Sequence, residues 1–250
     1  MKFNLTGRTA FVTGATSGLG RRFAKVLAQA GADVAIAGRR AERLADLKSE
    51  IEHLGRKCTA VPLDVTDISA IPPAFDAAEA ALGPVHILVN NAGMSRDGKA
   101  VDITPQDFDA VVDTNLRAPF FMASEAARRM IARGLGGRIV NIASIGAFRV
   151  LPGLSIYCIS KAGLVMMTQC LAREWARHDI NVNAICPGYI ETEINQDWFK
   201  SEGGQKQIKS FPKRRLAQES DLDGILLLLA SEASRAITGS LMTVDDAQSL

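Results

Sequence analysis

Four cysteines in 250 residues is few, and Cys58, Cys158, Cys170 and Cys186 show neither C-x-x-C spacing nor interleaved histidines. That pattern excludes a disulfide framework and a structural metal site, and leaves the four as small core residues. Charge of one sign is also lacking: 29 basic against 27 acidic residues give a formal net charge of +2. Without a basic stripe there is no footprint for a phosphate backbone, so no nucleic-acid partner is expected. Long apolar runs are missing too. The longest aliphatic run, Ile225 to Ala230, is far short of a bilayer span, and the opening "MKFNLTGRTAFVTG" holds no apolar leader. A soluble, cytoplasmic protein without a membrane partner is the expectation. No linker rich in Pro, Gly or Ser and no solenoid repeat divides the chain, so residues 1–250 read as one domain, with 47% hydrophobic residues for its core.

What is present is an alternation of short β-branched runs with longer helical patterns, which indicates an α/β fold with a doubly wound parallel sheet. Strands are expected at Arg8–Gly14, Ala32–Gly38, Lys57–Asp64, Val85–Asn90, Gly137–Ser144, Ile180–Cys186 and Ser240–Val244. Helices are expected at Leu19–Ala30, Ala41–Leu54, Ile68–Leu82, Phe108–Arg133 and Ser155–Arg177. The result is a seven-stranded Rossmann-type sheet with helices on both faces. Ligands of such sheets bind beyond the carboxyl ends of the strands. The irregular segments near 146–156 and 188–216 therefore become the substrate rim.

The turn "TGATSGLG" after the first strand carries Gly14, Gly18 and Gly20, which let the backbone approach a pyrophosphate seated on a helix N-terminus. At the end of the second strand, where an NAD enzyme is expected to place a carboxylate on the ribose diol, stands Gly38, followed by Arg39 and Arg40. Two guanidinium forks suit a 2′-phosphate, so NADP(H) is favoured, with NAD(H) also possible. Asp64 and Val65, after the third strand, are candidates for the adenine amino group. "NNAG", Asn90 to Gly93, closes the fourth strand with amides that bridge strands and a glycine that admits the cofactor.

"Y-C-I-S-K" puts Tyr157 and Lys161 on one helix face, one turn apart. A phenol with an ordinary pKa of about 10 is a poor proton shuttle at neutral pH, and a nearby cation favours its phenolate. Ser144, at the end of the fifth strand, is placed to hydrogen-bond a substrate carbonyl and the alkoxide that develops from it. Together with T-G-x-x-x-G-x-G at Thr13 to Gly20, N-N-A-G, and P-G at Pro187 and Gly188, these residues resemble the short-chain dehydrogenase/reductase family along essentially the whole chain.

The resemblance implies reversible hydride transfer between a nicotinamide and a carbonyl carbon, with Tyr157 as proton donor or acceptor. It implies that Lys161 also holds the nicotinamide ribose, and that Asn115 in "DTNLR" supports a water relay to that lysine. It assigns Thr16, Ser17, Leu19, Asn91, Ala92 and Gly93 to the cofactor, and places Pro187, Gly188, Ile190 and Thr192 at the nicotinamide carboxamide. It further implies a homotetramer paired through the helices Phe108–Arg133 and Ser155–Arg177. Met94, Phe148, Leu151, Leu154, Tyr189, Trp198 and Phe199 are candidates to line the substrate pocket, and "KQIKSFPKRRL", Lys206 to Leu216, adds five cations beside it.

Within the family, the nearest general resemblance is to 3-oxoacyl-carrier-protein reductases, through Cys170 to Ile194 and through Arg133 and Arg173, where such enzymes carry carrier-docking cations. The tail "VDDAQSL" departs from the family's V-D-G-G. A reductase of free ketones, sugars or steroids is the alternative, followed by a non-catalytic NADP-sensing protein and by an isomerase or dehydratase using transient hydride transfer.

Overall fold

The computed structural model describes residues 3–191 and 195–250. Seven strands form one parallel sheet: β1 (Thr9–Val12), β2 (Asp33–Gly38), β3 (Cys58–Pro62), β4 (Val85–Asn90), β5 (Gly137–Ile142), β6 (Ile180–Pro187) and β7 (Leu241–Val244). Their spatial order is β3-β2-β1-β4-β5-β6-β7. The order reverses between β1 and β4, and that reversal opens a crevice at the carboxyl edge of the sheet.

Alternation along the strands sends side chains to two separate cores. Phe11, Leu88 and Ile139 face a layer built by α3 (Ile71–Leu82), α5 (Ala118–Arg133) and α6 (Ser155–Trp175), where Phe75, Met122 and Leu164 are fully or almost fully buried. Ala10, Val12 and Ile87 face α1 (Gly18–Gln29), α2 (Ala41–His53) and α9 (Asp223–Ala230), against Phe23, Leu27, Leu44 and Leu226. Each large apolar side chain so buried contributes about 1.5–3 kcal/mol. The α6 helix, extended to His178, is long and apolar enough by length and composition to cross a membrane, but half of that window is buried within the fold, as befits a core helix.

Three expectations need correction. The helix expected from Phe108 starts earlier, as α4 (Pro105–Val112), because the Thr104 hydroxyl accepts the Asp107 N–H and Pro105 suits a first turn. It then runs into α5 through a π-helical turn at Asp113–Arg117, where the Ala118 N–H reaches the Asp113 carbonyl five residues back. The segment expected to be irregular after β6 holds α7 (Gln196–Lys200) and α8 (Glu202–Ser210). Ser201 makes the second of these possible by accepting the Gly204 N–H at 3.1 Å. Finally, the cysteines are not all core residues. Cys58 and Cys186 are buried, Cys158 is half-buried and Cys170 is exposed on α6.

Candidate active site

The glycine turn is shaped by close approach rather than by flexibility alone. A Cβ on Gly20 would lie 2.3 Å from the Gly14 carbonyl oxygen, and one on Gly14 would lie 2.8 Å from the Ala92 Cα. Ser17 stands at the α1 N-cap in extended conformation and makes no capping bond, so the first-turn N–H groups face outward as an anion seat. Thr16 and Ser17 instead accept hydrogen bonds from Arg40, at 2.8 and 2.7 Å.

The two arginines therefore separate. Arg40 is drawn onto the glycine turn, while Arg39 is mostly exposed and lies 3.7 Å from the Asp64 carboxylate. Gly38 has a steric reason as well as an electrostatic one: a Cβ there would meet the Thr16 methyl at 2.7 Å. Burial works against the Asp64 charge, yet bonds from the Thr66 N–H and hydroxyl, with Arg39 nearby, hold its carboxyl below the usual value. Val65 is buried beside it. Leu19 packs against the α1 side of the core. The cradle, the outward helix end and the guanidinium beside them together fit a dinucleotide with an additional phosphate.

The amides of "NNAG" hold strands together. Asn91 donates to the Thr13 carbonyl at 3.0 Å, and Asn90 donates to Asn141 at 2.9 Å. Ala92 donates its N–H to the Thr13 hydroxyl at 3.1 Å. Gly93 then passes between Asn115 and Lys161, whose Oδ1 and Nζ would lie 3.3 and 3.6 Å from a Cβ at that position.

Four side chains gather beyond β4, β5 and α6. Asn115 sits at the π-helical turn, fully buried, and its amide is saturated: Oδ1 accepts the Met94 N–H at 2.9 Å, and Nδ2 donates to the Met94 carbonyl and to Ser160. Lys161 is buried, donates from Nζ to the Ile142 carbonyl at 2.8 Å and lies 5.7 Å from the centre of the Tyr157 ring. Burial alone pushes its ammonium down to about 8. Ser144 accepts the Gly146 N–H at 3.0 Å and hydrogen-bonds Tyr157. A Cβ on Gly146 would touch both, at 3.4 Å from the serine oxygen and 3.3 Å from the tyrosine ring.

The direction of the Tyr157 shift differs from the expectation. Burial drives the phenol pKa up, and the Ser144 bond opposes it. Lys161 is anchored to the strand carbonyl rather than on the phenol oxygen, which is why its charge does not reverse the balance. Cys186, buried behind them, is pushed up to about 12 and is chemically quiet.

The rim departs further from expectation. Phe148 and Trp198 are half exposed, and Met94, Leu154 and Tyr189 are half-buried, but Leu151 and Phe199 point inward. Leu151 supports the Gly146 turn, and Phe199 packs edge-on to Tyr189, which also stacks on Phe211. Pro187 ends β6 with Gly188 bonded to the Val244 carbonyl, and Ile190 bridges to Ala217. Thr192 lies outside the described residues. Of the five cations, Lys206, Lys213 and Arg215 are paired with Glu202, Asp246 and Asp221, so the stretch is largely neutralised. Arg133 is likewise tied to Glu79, while Arg173 is exposed. Sequence reasoning missed Gln207, which bonds Trp198 and Tyr189, and Gln248, which bonds the Tyr189 backbone. Among the described residues no group of His, Cys, Asp and Glu could hold a metal.

The family described as short chain dehydrogenase matches residues 8–203. A 2-dehydro-3-deoxy-D-gluconate 5-dehydrogenase of Escherichia coli is 39% identical over 97% of this chain and 96% of its own length. A gluconate 5-dehydrogenase of Gluconobacter oxydans is 37% identical over 97% of this chain and 95% of its own. The crystal structure of a gluconate 5-dehydrogenase from Burkholderia cenocepacia, in complex with NADP and tartrate, superposes with a TM-score of 0.94 at 35% identity, covering 99% of this chain and 97% of that one. The serine, tyrosine and lysine that converge beside a nucleotide cradle thus stand in a fold and sequence shared along almost the full chain, and the protein belongs to the short-chain dehydrogenase family of NAD(P)-dependent oxidoreductases.

Proposed function

We propose that the chain interconverts a ketone and a secondary alcohol on a polyhydroxylated carboxylic acid of the gluconate kind, using NADP(H). The observation that carries the reading is the gathering of Ser144, Tyr157 and Lys161 at the carboxyl edge of the sheet, across β4 from the glycine turn that Arg40 clasps. Arg40 supports NADP(H) over NAD(H), because a guanidinium fixed beside the anion seat is placed for a further phosphate. The names of the relatives support the sugar acid, and a relative solved with NADP and tartrate, itself a hydroxy acid, supports both parts. The thioester substrate of a carrier-protein reductase draws no support from those names, and Arg133 is engaged with Glu79.

When bound, NADP(H) supplies or accepts the hydride. Ser144 donates to the substrate oxygen, and Tyr157 delivers a proton to that oxygen in reduction or removes it in oxidation. Lys161 brings a cation beneath the tyrosine ring and lowers the cost of the phenolate once charge develops there. Asn115 acts by position: its amide fixes the Met94 backbone and Ser160, and through Ser160 the Tyr157 carbonyl.

The same reading extends to self-association. Leu116, Phe120, Phe121 and Met166 line an apolar groove of about 430 Å³ with Arg117 and Glu174 among its walls, an arrangement of opposite charges that suits a second copy related by a two-fold axis. A homotetramer in light scattering supports it, and a monomer removes it.

The test of function is a panel of gluconate, 2-dehydro-3-deoxygluconate, an acetoacetyl thioester and cyclic diketones, each with NADP(H) and NAD(H), followed at the nicotinamide absorbance band. Turnover of the sugar acids with NADP(H) is expected. Turnover of the thioester alone contradicts the substrate class, and a preference for NAD(H) contradicts the role of Arg40.

A further inference from the structure

The anion seat at the start of α1 has a neighbour that bears the same sign of charge as a phosphate. Glu219 opens the short 3₁₀ turn Glu219–Leu222 ahead of α9, and that turn packs against α1. Its Oε1 lies 3.8 Å from the point that a Cβ on Gly18, the first residue of α1, would occupy. The side chain is half-buried, and its carboxylate takes no hydrogen bond and no ion pair among the described residues. The helix itself has no acidic residue in its first turn, and Ser17 leaves the end uncapped. Glu219 thus brings from another element the carboxylate that the helix lacks there.

The charges that face Glu219 do not cancel it. Arg22 of α1 is the cation, and both oxygens of Asp223 from α9 hold its guanidinium at 2.8 and 2.5 Å, so the pair is close to neutral. On the same turn as Glu219, Asp221 is engaged with Arg215 and the Gln218 N–H. Arg40, across the glycine turn, is directed to Thr16 and Ser17. Burial therefore raises the Glu219 pKa, with Arg22 opposing and Asp223 adding to the rise. The outward N–H groups and the helix dipole draw a phosphate to this helix end. A carboxylate beside it draws on the same field and repels the phosphate.

From this geometry we propose that Glu219 is a negative determinant of cofactor affinity, whose carboxylate opposes the pyrophosphate of NADP(H) and makes the cofactor leave faster than the glycine turn alone would allow. The proposal rests on the cofactor seat described above and is independent of the substrate class. It also makes binding proton-linked. The pyrophosphate raises the Glu219 pKa further in the complex, so affinity is highest where Glu219 is already protonated. It declines as pH rises through the Glu219 range, and levels off once the carboxylate stays charged in the complex.

The experiment measures NADPH dissociation constants by fluorescence titration, and release rates by stopped-flow displacement with excess NADP+. Wild type, Glu219→Gln and Glu219→Ala are compared between about pH 5 and 8, the span in which a raised carboxyl titrates, with melting temperatures to check the fold. Both variants are expected to bind about fivefold tighter than wild type at the alkaline end, the size of one like-charge contact at a half-exposed site, with most of the gain in the release rate. That advantage should shrink towards acid pH and with added salt. The titration of NADPH itself cancels in the ratio, since all three proteins meet the same ligand. Weaker binding in both variants shows that Glu219 holds the cofactor, by accepting from a ribose hydroxyl, and overturns the proposal. Equal affinity overturns it as well, because the charge is then screened. A gain that persists unchanged in acid and in salt assigns the effect to side-chain shape and overturns it too. Wild type that binds no NADPH removes the cofactor seat, and this proposal with it.

Discussion

Around the exit of β1 the chain turns left-handed only at glycines, Gly14 at φ 65° and Gly18 at 49°, whereas around the exits of β6 and β7 it does so at Arg214 (52°), Asp246 (51°) and Ala247 (64°). The nucleotide end obtains its shape without strain, from residues that lack a Cβ where a neighbouring backbone passes close by. The rim end obtains its shape against strain, through ion pairs and buried carboxylate caps. A surface for an invariant ligand fragment can be fixed by backbone alone. A surface that chooses among substrates is set by side chains, and the choice of side chains is particular to each chain.

The largest expected effect breaks the first half of this contrast. Gly20→Ala drives a Cβ to 2.3 Å from a carbonyl oxygen and 2.4 Å from the Asn91 amide. It is expected to cost about 3 kcal/mol in denaturant unfolding and to weaken NADPH binding sharply. Parent-like stability and binding would show that the turn yields, and that close approach is not what fixes it.

Acid probes the layer that carries β4. Burial raises the Glu79 carboxyl, but bonds from Arg133 and Arg129 outweigh it and hold the group at about 2, against an ordinary value of 4.5. A folded-state value below the unfolded one stabilises the fold above the unfolded value, and the gain is lost as pH falls from about 4.5 towards about 2. The loss should reach about 3 kcal/mol at most. Glu79→Gln should flatten that acid limb in thermal melts, and an unchanged limb would reassign it to other carboxylates.

Arg40→Ala separates the two cofactors. NADPH affinity should fall about tenfold while NADH affinity stays within a factor of two, one charge-assisted contact being lost from the extra phosphate. Equal losses for both would make Arg40 a brace for Thr16 and Ser17 only. The smallest effect tests the strained tail: Ala247→Gly should raise the melting temperature by about 2 °C, because the left-handed conformation no longer opposes a Cβ. Asp246→Gly should show no such gain, since it also removes the pairs to Lys213 and Arg215.

The same contrast decides how much was legible in the sequence. All seven strands were, since Phe11, Leu88 and Val182 belong to β-branched and aromatic runs bounded by turns, and the glycine turn and "YCISK" lie where the topology needs them. The π-helical turn was not. "DTNLR" itself contains nothing a regular helix rejects, but Pro119 just beyond it has no N–H for the Asn115 carbonyl and crowds that turn, and the contacts of Asn115 with Met94 and Ser160 hold the widened turn in place. The helix α8 was hidden by Gly203 and Gly204, which read as breakers. Gly204 is required instead because the Trp198 carbonyl would lie 2.1 Å from its Cβ. Leu151 and Phe199 were indistinguishable from pocket residues because apolar side chains in a loop give no sign of which way they face. The strained tail did leave a trace, since Asp246 and Ala247 stand where the family pattern has paired glycines, though the left-handed backbone had to be seen before that departure meant strain.

The division of labour between the two ends is tested most directly by Tyr157→Phe, with NADPH binding and turnover measured on the same preparation. The dissociation constant for NADPH is expected to stay within a factor of about three while kcat falls by about 10³ or more, the size of a lost proton transfer. Retained turnover would show that Tyr157 does not move the proton, and a cofactor affinity that falls as far as kcat would show that its hydroxyl serves binding instead.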